Sequence, residues 1–262
     1  MFDSFHIAAT GLHAQEANVD TIANNLANWN TTGYKKGRVD FEDLMYRQLS
    51  TATGLIGNPD LRNPAGVGSA VSSIGKIFSQ GDLKTTGRDL DVAIQGDGFF
   101  ELLLPDGRYA YTRAGVFQID EDGLLVNADG FQLSPLIQLP SDTQQVIIEP
   151  DGDVLAAVPD QANPINLDRI VLASFVNPGG LTPTGDNLYV PSLKSGDVFY
   201  GDPGEEGFGQ LGQGFLEGSN EDESEEITNL VLAQRGYEVN ARVIQTADQM
   251  MAIVNELARS AR

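Results

Sequence analysis

The stretch FHIAATGLHAQEANVDTIANNLANW, residues 5–29, decides how this chain is read. Phe5, Leu12, Val19 and Leu26 recur every seven residues, and Ala8, Gln15, Ile22 and Trp29 fill a second position three residues on. Seven of these eight are apolar, and Gln15 is the exception. A seven-residue apolar repeat lays a narrow seam along one side of a helix, the pattern of a helix that meets another helix. Asp3 or Ser4 is placed to cap its start, and the Thr-Thr-Gly inside Asn28–Gly33 to stop it.

The C-terminal end repeats the pattern. Leu230, Tyr237, Ile244, Met251 and Ala258 form one row; Ala233, Asn240, Ala247, Val254 and Ala261 form the other, and nine of the ten are apolar or aromatic. Glu225 and Glu226 precede this run, and Arg259 and Arg262 end it, each sign suited to its end of the helix dipole. A narrow stripe has nowhere to be buried on a lone helix, whereas a helix docked on a globular core shows a wider apolar face. The two terminal helices are therefore expected to pair as a coiled-coil-like unit, separate docking on a core being the alternative. The seam runs through Phe5, Leu12, Val19, Ile22, Leu26, Leu230, Tyr237, Ile244, Met251 and Val254.

Between the ends the period changes to that of strands. Asp-Gly pairs recur at Asp97-Gly98, Asp106-Gly107, Asp122-Gly123, Asp129-Gly130 and Asp151-Gly152. Asp-Gly supplies the positive φ that tight hairpin turns need. Short strand-like runs lie among them, at Phe99–Leu104, Tyr109–Thr112, Val116–Ile119, Leu124–Val126 and Val146–Glu149. The overall class is α+β: paired terminal helices, an all-β sandwich or barrel-like middle and an extended connector. The expected division is 1–34 with 227–262 as a helical assembly domain, 72–200 as the β domain, and 35–71 with 201–226 as connectors. Ser50–Val71 reads as an extended or mobile link, rich in Gly, Pro, Asn, Ser and Thr. Residues 201–226 carry nine acids, no base and many glycines, and read as weakly folded in isolation.

Composition narrows the function. Among 262 residues, 37 acids against 16 bases give a formal charge of −21, which repels phosphate backbones and argues against nucleic acid. No apolar run approaches the roughly 20 residues of a bilayer span, so no membrane insertion is expected. No basic, apolar secretory leader is visible at Met1–His6. The absence of Cys excludes disulfides and thiolate chemistry.

No catalytic, cofactor or metal site emerges, and the chain is read as no enzyme. His6 and His13 share a helix face, but a metal site would need further ligands such as Asp3 or Glu16, so they read as solvated or interfacial imidazoles. Gly66-Val67-Gly68-Ser69 lacks the remaining parts of a phosphate loop. Asp120-Glu121-Asp122-Gly123 lacks the spacing of a calcium loop and reads as a hairpin turn. A carbohydrate-active β domain rests only on abundant carboxylates, with no pair singled out. Lys35, Lys36 and Arg38 form the one tight basic cluster; its default is a solvated patch, and the acids at Glu221–Glu226 favour a role in protein contacts.

Ile22-Ala23-Asn24-Asn25-Leu26-Ala27-Asn28, followed by Thr31, Gly33 and Tyr34-Lys35, resembles the N-terminal signature of bacterial flagellar rod and hook proteins. Ala93-Ile94-Gln95-Gly96-Asp97-Gly98-Phe99-Phe100 and Tyr111-Thr112-Arg113 resemble the family's middle domain. Ala233-Gln234-Arg235-Gly236-Tyr237-Glu238-Val239-Asn240 is similar to its C-terminal helix, with Gly236 where Ala is frequent. The segment from Phe41 to Gly68 favours the distal-rod branch, with the proximal rod and the hook as sister alternatives.

The resemblance implies a structural subunit that polymerises into the axial drive shaft carrying torque from motor to hook. It implies contacts with copies of itself, with proximal rod and hook proteins, with the rings around the rod and with the flagellar export apparatus. It places the protein in the basal body, in the rod that spans the periplasm, exported without a cleaved signal. Seams of this kind are poorly satisfied in a lone subunit and better satisfied in a polymer.

Overall fold

The computed structural model describes residues 2–44, 47–48, 64–159 and 163–260. Contacts divide the chain into two compact units. One comprises Met1–Leu26, Gly37–Gly75 and Glu223–Arg262; the other comprises Ala27–Lys36 and Lys76–Asp222. Much of the expected link Ser50–Val71, together with Ala261 and Arg262, lies outside the described residues.

The first unit holds both terminal helices, α1 (Phe2–Ala27) and α2 (Glu223–Ser260). α1 starts at Phe2, so Asp3 lies in its first turn rather than at the cap, where it still complements the helix dipole. α2 runs 38 residues and takes Glu223, Glu225 and Glu226 into its first turn. Strand Gly37–Asp43 pairs with Ser69–Lys76, so part of the expected connector is a β-ribbon.

The second unit is β-rich. Its main antiparallel sheet runs Thr182–Gly185, Leu188–Val190, Tyr109–Thr112, Phe99–Leu103, Gln132–Ser134, Leu125–Asn127, Phe117–Ile119. Leu172–Phe175 joins Phe99–Leu103 to Val198–Gly201, and Gln145–Ile148, Asp153–Ala157 and Ile165–Arg169 form a separate three-stranded sheet. The Asp-Gly turns do as their chemistry requires: Gly98, Gly107, Gly123, Gly130 and Gly152 all have φ between 79° and 133°.

The strand period of two explains how this sheet buries both faces. Phe100, Leu102, Ala110 and Leu172 face the larger core with Val92, Ile94, Phe117 and Leu133. Their neighbours Phe99, Tyr111 and Ala173 face a second core with Phe175, Leu181 and Tyr189. That smaller core is aromatic: Phe78 meets Phe99 and Tyr189 edge-on at 5.3 and 5.0 Å.

The acidic, glycine-rich stretch 201–222 is folded. Strand Gln210–Gln213 pairs with Val92–Gln95, and Phe215–Glu217 pairs with Leu83–Thr85. Its average composition hides an alternation. Glu205 and Glu206 are exposed in turns, while Leu211 is buried in the larger core and Phe208 packs against it.

Candidate assembly surface

In the first unit the two helices touch along part of the expected seam. On α1, Ala8 and Ile22 are buried and Leu12, Gln15, Val19 and Leu26 are half-buried. On α2, Ala233 and Ala247 are buried and Leu230, Asn240, Ile244 and Met251 are half-buried.

The two polar exceptions in the seam have a common cause. A Cβ on Gly11 would lie 2.9 Å from Nδ2 of Asn240, and one on Gly236 would lie 3.2 Å from Cδ of Gln15. Each glycine opens the room that an amide side chain from the other helix occupies. Gly11 meets Asn240 and Gln15 meets Gly236, so the helices run antiparallel. A Gly in a helix interior costs ~1 kcal/mol relative to Ala, and here it admits close contact.

α1 has a second neighbour, the β-ribbon, which explains why its buried face is wider than the seam. Asn25 Nδ2 donates to Gly37 O at 2.9 Å, and Gly37 N donates to Asn25 Oδ1 at 2.8 Å. Asn25 is only 2% exposed, so its amide stands in for a strand partner at the end of Gly37–Asp43. A Cβ on Gly68 would meet the Thr10 hydroxyl.

The signature residues beyond the helix belong to the second unit. Thr31 Oγ1 donates to Asn28 Oδ1 at 3.1 Å, closing the turn after α1. Gly33 has φ 69° and its N–H donates to Glu217 O at 2.8 Å. Tyr34 is buried, with the Lys76 ammonium 4.2 Å above its ring. Asn24 and Ala27 are exposed.

Lys35 corrects the expectation of a solvated basic patch. Its ammonium is fully buried and donates to Glu217 Oε1 at 2.6 Å and to Ser79 O at 2.7 Å. Arg113 Nη1 lies 3.6 Å from the other Glu217 oxygen, so one anion serves two cations. Burial pulls the Lys35 ammonium below its ordinary value, and the Glu217 charge opposes that shift. Lys36 N donates to Asn220 Oδ1 at 2.8 Å. The partner for this basic segment is thus the acidic segment of the same chain.

Three stretches match flagellar families. The family described as flagella basal body rod protein matches residues 5–35, the flagellar hook protein FlgE/F/G D1 domain matches 93–156, and the flagellar basal body rod FlgEFG protein C-terminal matches 213–257. The flagellar basal-body rod protein FlgG of Borreliella burgdorferi is 44% identical over 264 residues, covering 99% of this chain and 100% of the relative. The chain belongs to the flagellar basal-body rod protein family. The FlgG of Agrobacterium fabrum is 43% identical over 258 residues, covering 95% of this chain and 97% of that relative. A flagellar hook protein FlgE of Treponema pallidum is 42% identical over 136 residues, but covers 51% of this chain and 29% of its own length.

The rod-family matches fall on the elements just described: α1 with its exit to Lys35, the main sheet, and Gln213 through most of α2. The family is structural, and no described helix is long and apolar enough to cross a membrane. His6 and His13 are exposed. Glu149, Asp151 and Asp153 gather their carboxylates at one turn, where Asp153 is engaged by Arg169 at 2.6 Å.

Three of the expected seam residues are exposed in this rod-family chain. Phe5 is 43%, Tyr237 45% and Val254 48% exposed. A second apolar row on α2 was missed by the sequence reading. Leu232, Val239, Val243, Met250, Ile253 and Leu257 are all exposed. Its signal was present: the same heptad spacing set one residue earlier, with Gly236 and Thr246 completing it.

Proposed function

We propose that this chain is a structural, non-catalytic subunit of the flagellar distal rod. Copies of it polymerise into the axial shaft that carries torque from motor to hook. The observation that carries this reading is the apolar surface of α2, where six large side chains in heptad register remain exposed after the contact with α1 is made. A face of this kind on a long helix is a surface for further protein. Near-full-length similarity to basal-body rod proteins supports the same reading.

The finer parts follow from it. The seam residues of α1 and α2 form a coiled-coil-like pair within each subunit, as the Gly11–Asn240 and Gln15–Gly236 contacts support. Residues 1–34 with 227–262 form the assembly domain. The ends of the polymer meet proximal rod and hook proteins, and its flank meets the rings around the rod in the periplasm. Subunits arrive through the flagellar export apparatus.

The test is complementation of a bacterium deleted for its own distal rod gene. The full chain is expected to restore rods seen by electron microscopy of purified basal bodies, and a chain lacking residues 2–33 is expected not to. Restoration by the truncated chain would refute the role of α1. Tagged protein located beyond the outer ring would favour the sister reading of a hook protein.

A further inference from the structure

We infer that the first unit binds a hard cation, calcium ahead of sodium, in a polar pocket anchored by Glu226. Four carboxylates are buried among the described residues. Three have partners: Glu217 meets Lys35 and Arg113, Glu101 accepts from Tyr111, and Asp91 faces Arg88 at 3.8 Å. Glu226 is the fourth. It is 4% exposed, its Oε2 accepts no hydrogen bond, and it makes no ion pair among the described residues. Its place in the first turn of α2 favours the charge but supplies Oε2 with no donor. A carboxylate this deeply buried calls for a counter-charge.

Glu226 lines a pocket of about 310 Å³ between α1, the start of strand Gly37–Asp43 and the first turns of α2, wholly within the first unit. Its walls divide into committed and free groups. Thr21 Oγ1 donates to Ala17 O at 2.8 Å, both ends of the Asn25 amide are bonded to Gly37, and Arg38 pairs with Asp40 at 3.0 Å. Gln15 Oε1 is buried and accepts nothing. The half-buried amides of Asn18 and Asn229 make no hydrogen bond among the described residues. Asn229 stands one turn beyond Glu226 on α2, and Asn18 one turn beyond Gln15 on α1. The pocket thus offers one full negative charge and neutral carbonyl oxygens, while its one basic lining residue, Arg38, is engaged by Asp40.

Carboxylate plus amide carbonyls is a donor set for a hard cation. Water satisfies the amides but brings no charge to Glu226. Calcium accepts irregular oxygen sets drawn from separate elements, whereas magnesium demands a near-octahedral one and sodium carries half the charge. The pocket has room for an ion that keeps several waters, at about 30 Å³ each. A single carboxylate sets the affinity near ~1 mM, the weak end of calcium sites.

The experiment melts purified full-length protein, followed by circular dichroism, in CaCl2, MgCl2 or NaCl. Tetramethylammonium chloride, whose cation is too bulky to enter, holds the ionic strength fixed. Calcium at about 10 mM is expected to raise the wild-type melting temperature by about 3 °C, with half the effect at ~1 mM. Magnesium and sodium are expected to do less. Hydrogen exchange is expected to slow with calcium at residues 15–26 and 224–233. Glu226→Gln keeps the shape and removes the charge; it is expected to melt at or above wild type without calcium and to lose the calcium shift. Asn229→Ala is expected to raise the half-effect concentration at least about threefold. Asp151→Asn, in the exposed acidic turn with Glu149 and Asp153, is expected to keep the full response.

Equal calcium shifts in wild type and Glu226→Gln would overturn the inference and leave only diffuse binding to an acidic surface. So would a wild type that responds to none of the three cations, or a response lost in Asp151→Asn and kept in Glu226→Gln. A sodium shift as large as that of calcium would overturn the order of ions. Should Glu226→Gln fail to fold, Asn229→Ala decides, and an unchanged half-effect concentration overturns the site.

Discussion

Lys35 donates a 2.6 Å hydrogen bond to Glu217 across 182 residues of sequence, and neither side chain is exposed. The pair joins the segment leaving α1 to the last strand before α2. Glu217 also accepts from Gly81 N at 2.9 Å, and Asn220 Nδ2 donates to Ile77 O at 2.8 Å. Both terminal segments of the second unit are therefore clasped to its sheet by buried polar groups, each with its partner supplied from a distant part of the chain.

The asymmetry of this cluster gives the first prediction. Lys35→Met leaves Glu217 with Arg113 still 3.6 Å away, whereas Glu217→Gln takes the carboxylate from both buried cations and leaves Arg113 only the field of Asp97. Breaking a buried pair costs about 3–5 kcal/mol. Lys35→Met is expected near the lower end and Glu217→Gln at or beyond the upper end. Urea unfolding of the full chain would check the order, and equal costs would mean that Arg113 shares no charge with Glu217.

Gly33 gives the second. Its φ of 69° is a left-handed conformation, and a Cβ there would lie 2.6 Å from the backbone nitrogen of Ala114. Gly33→Ala combines about 1–2 kcal/mol of backbone strain with a clash against main chain that cannot step aside. A loss of about 3 kcal/mol in unfolding free energy is expected. Gly87→Ala is the control, since Gly87 has the same φ of 69° but nothing within 4 Å of its Cβ. It is expected to show the strain alone.

These cases mark what was legible in sequence. Tyr109–Thr112 and Phe99–Leu103 could be read because Asp-Gly turns fix where a hairpin starts, and alternation fixes which side chain is buried. For Lys35 the charge pattern pointed to contact with the acidic segment before the C-terminal helix, but not to full burial against Glu217, a partner 182 residues away. The stretch 201–222 was misread because exposed acids and buried Leu211 alternate within it, and a composition window averages them. On the helices, the heptad showed the seam but not its polar exceptions. Gln15 and Asn240 make sense only beside Gly236 and Gly11, which is a relation between helices and not a property of either. The second row of α2 is hidden in the sequence because it repeats the heptad of the first one residue earlier, and Gly236 and Thr246 interrupt its apolar run.

Acid sensitivity is the third prediction. Arg169 Nε donates to Asp153 at 2.6 Å and Nη1 to Asp202 at 2.6 Å, tying the three-stranded sheet to the loop before Pro203. Hydrogen bonding to Arg169 holds the Asp153 carboxyl below its ordinary value. A carboxylate depressed in this way stabilises the fold fully above its unfolded value of about 3.9. It loses that contribution as pH falls through the lower, folded value. Wild-type melting temperature is therefore expected to fall more between pH 5 and pH 2 than that of Asp153→Asn, which is less stable at pH 7. Parallel melting curves for the two proteins would refute the assignment.

The two rows of α2 should separate in a final pair of substitutions. Ile244 is half-buried in the seam beside the row that holds Asn240 and Ala247, whereas Val239, one residue before Asn240, is 61% exposed. Ile244→Asp places a charge where α1 packs, and a cost of about 1–3 kcal/mol to the subunit is expected. Val239→Asp exchanges one exposed side chain for another and should alter subunit stability by less than about 0.5 kcal/mol. Both are expected to block rod formation in cells, but for different reasons: the first by loosening the helix pair, the second by charging a face that only a polymer covers. Circular dichroism of the monomers separates these causes. Equal loss of helical signal in both would mean that Val239 is buried within the subunit. Wild-type motility of Val239→Asp would mean that no neighbour covers it.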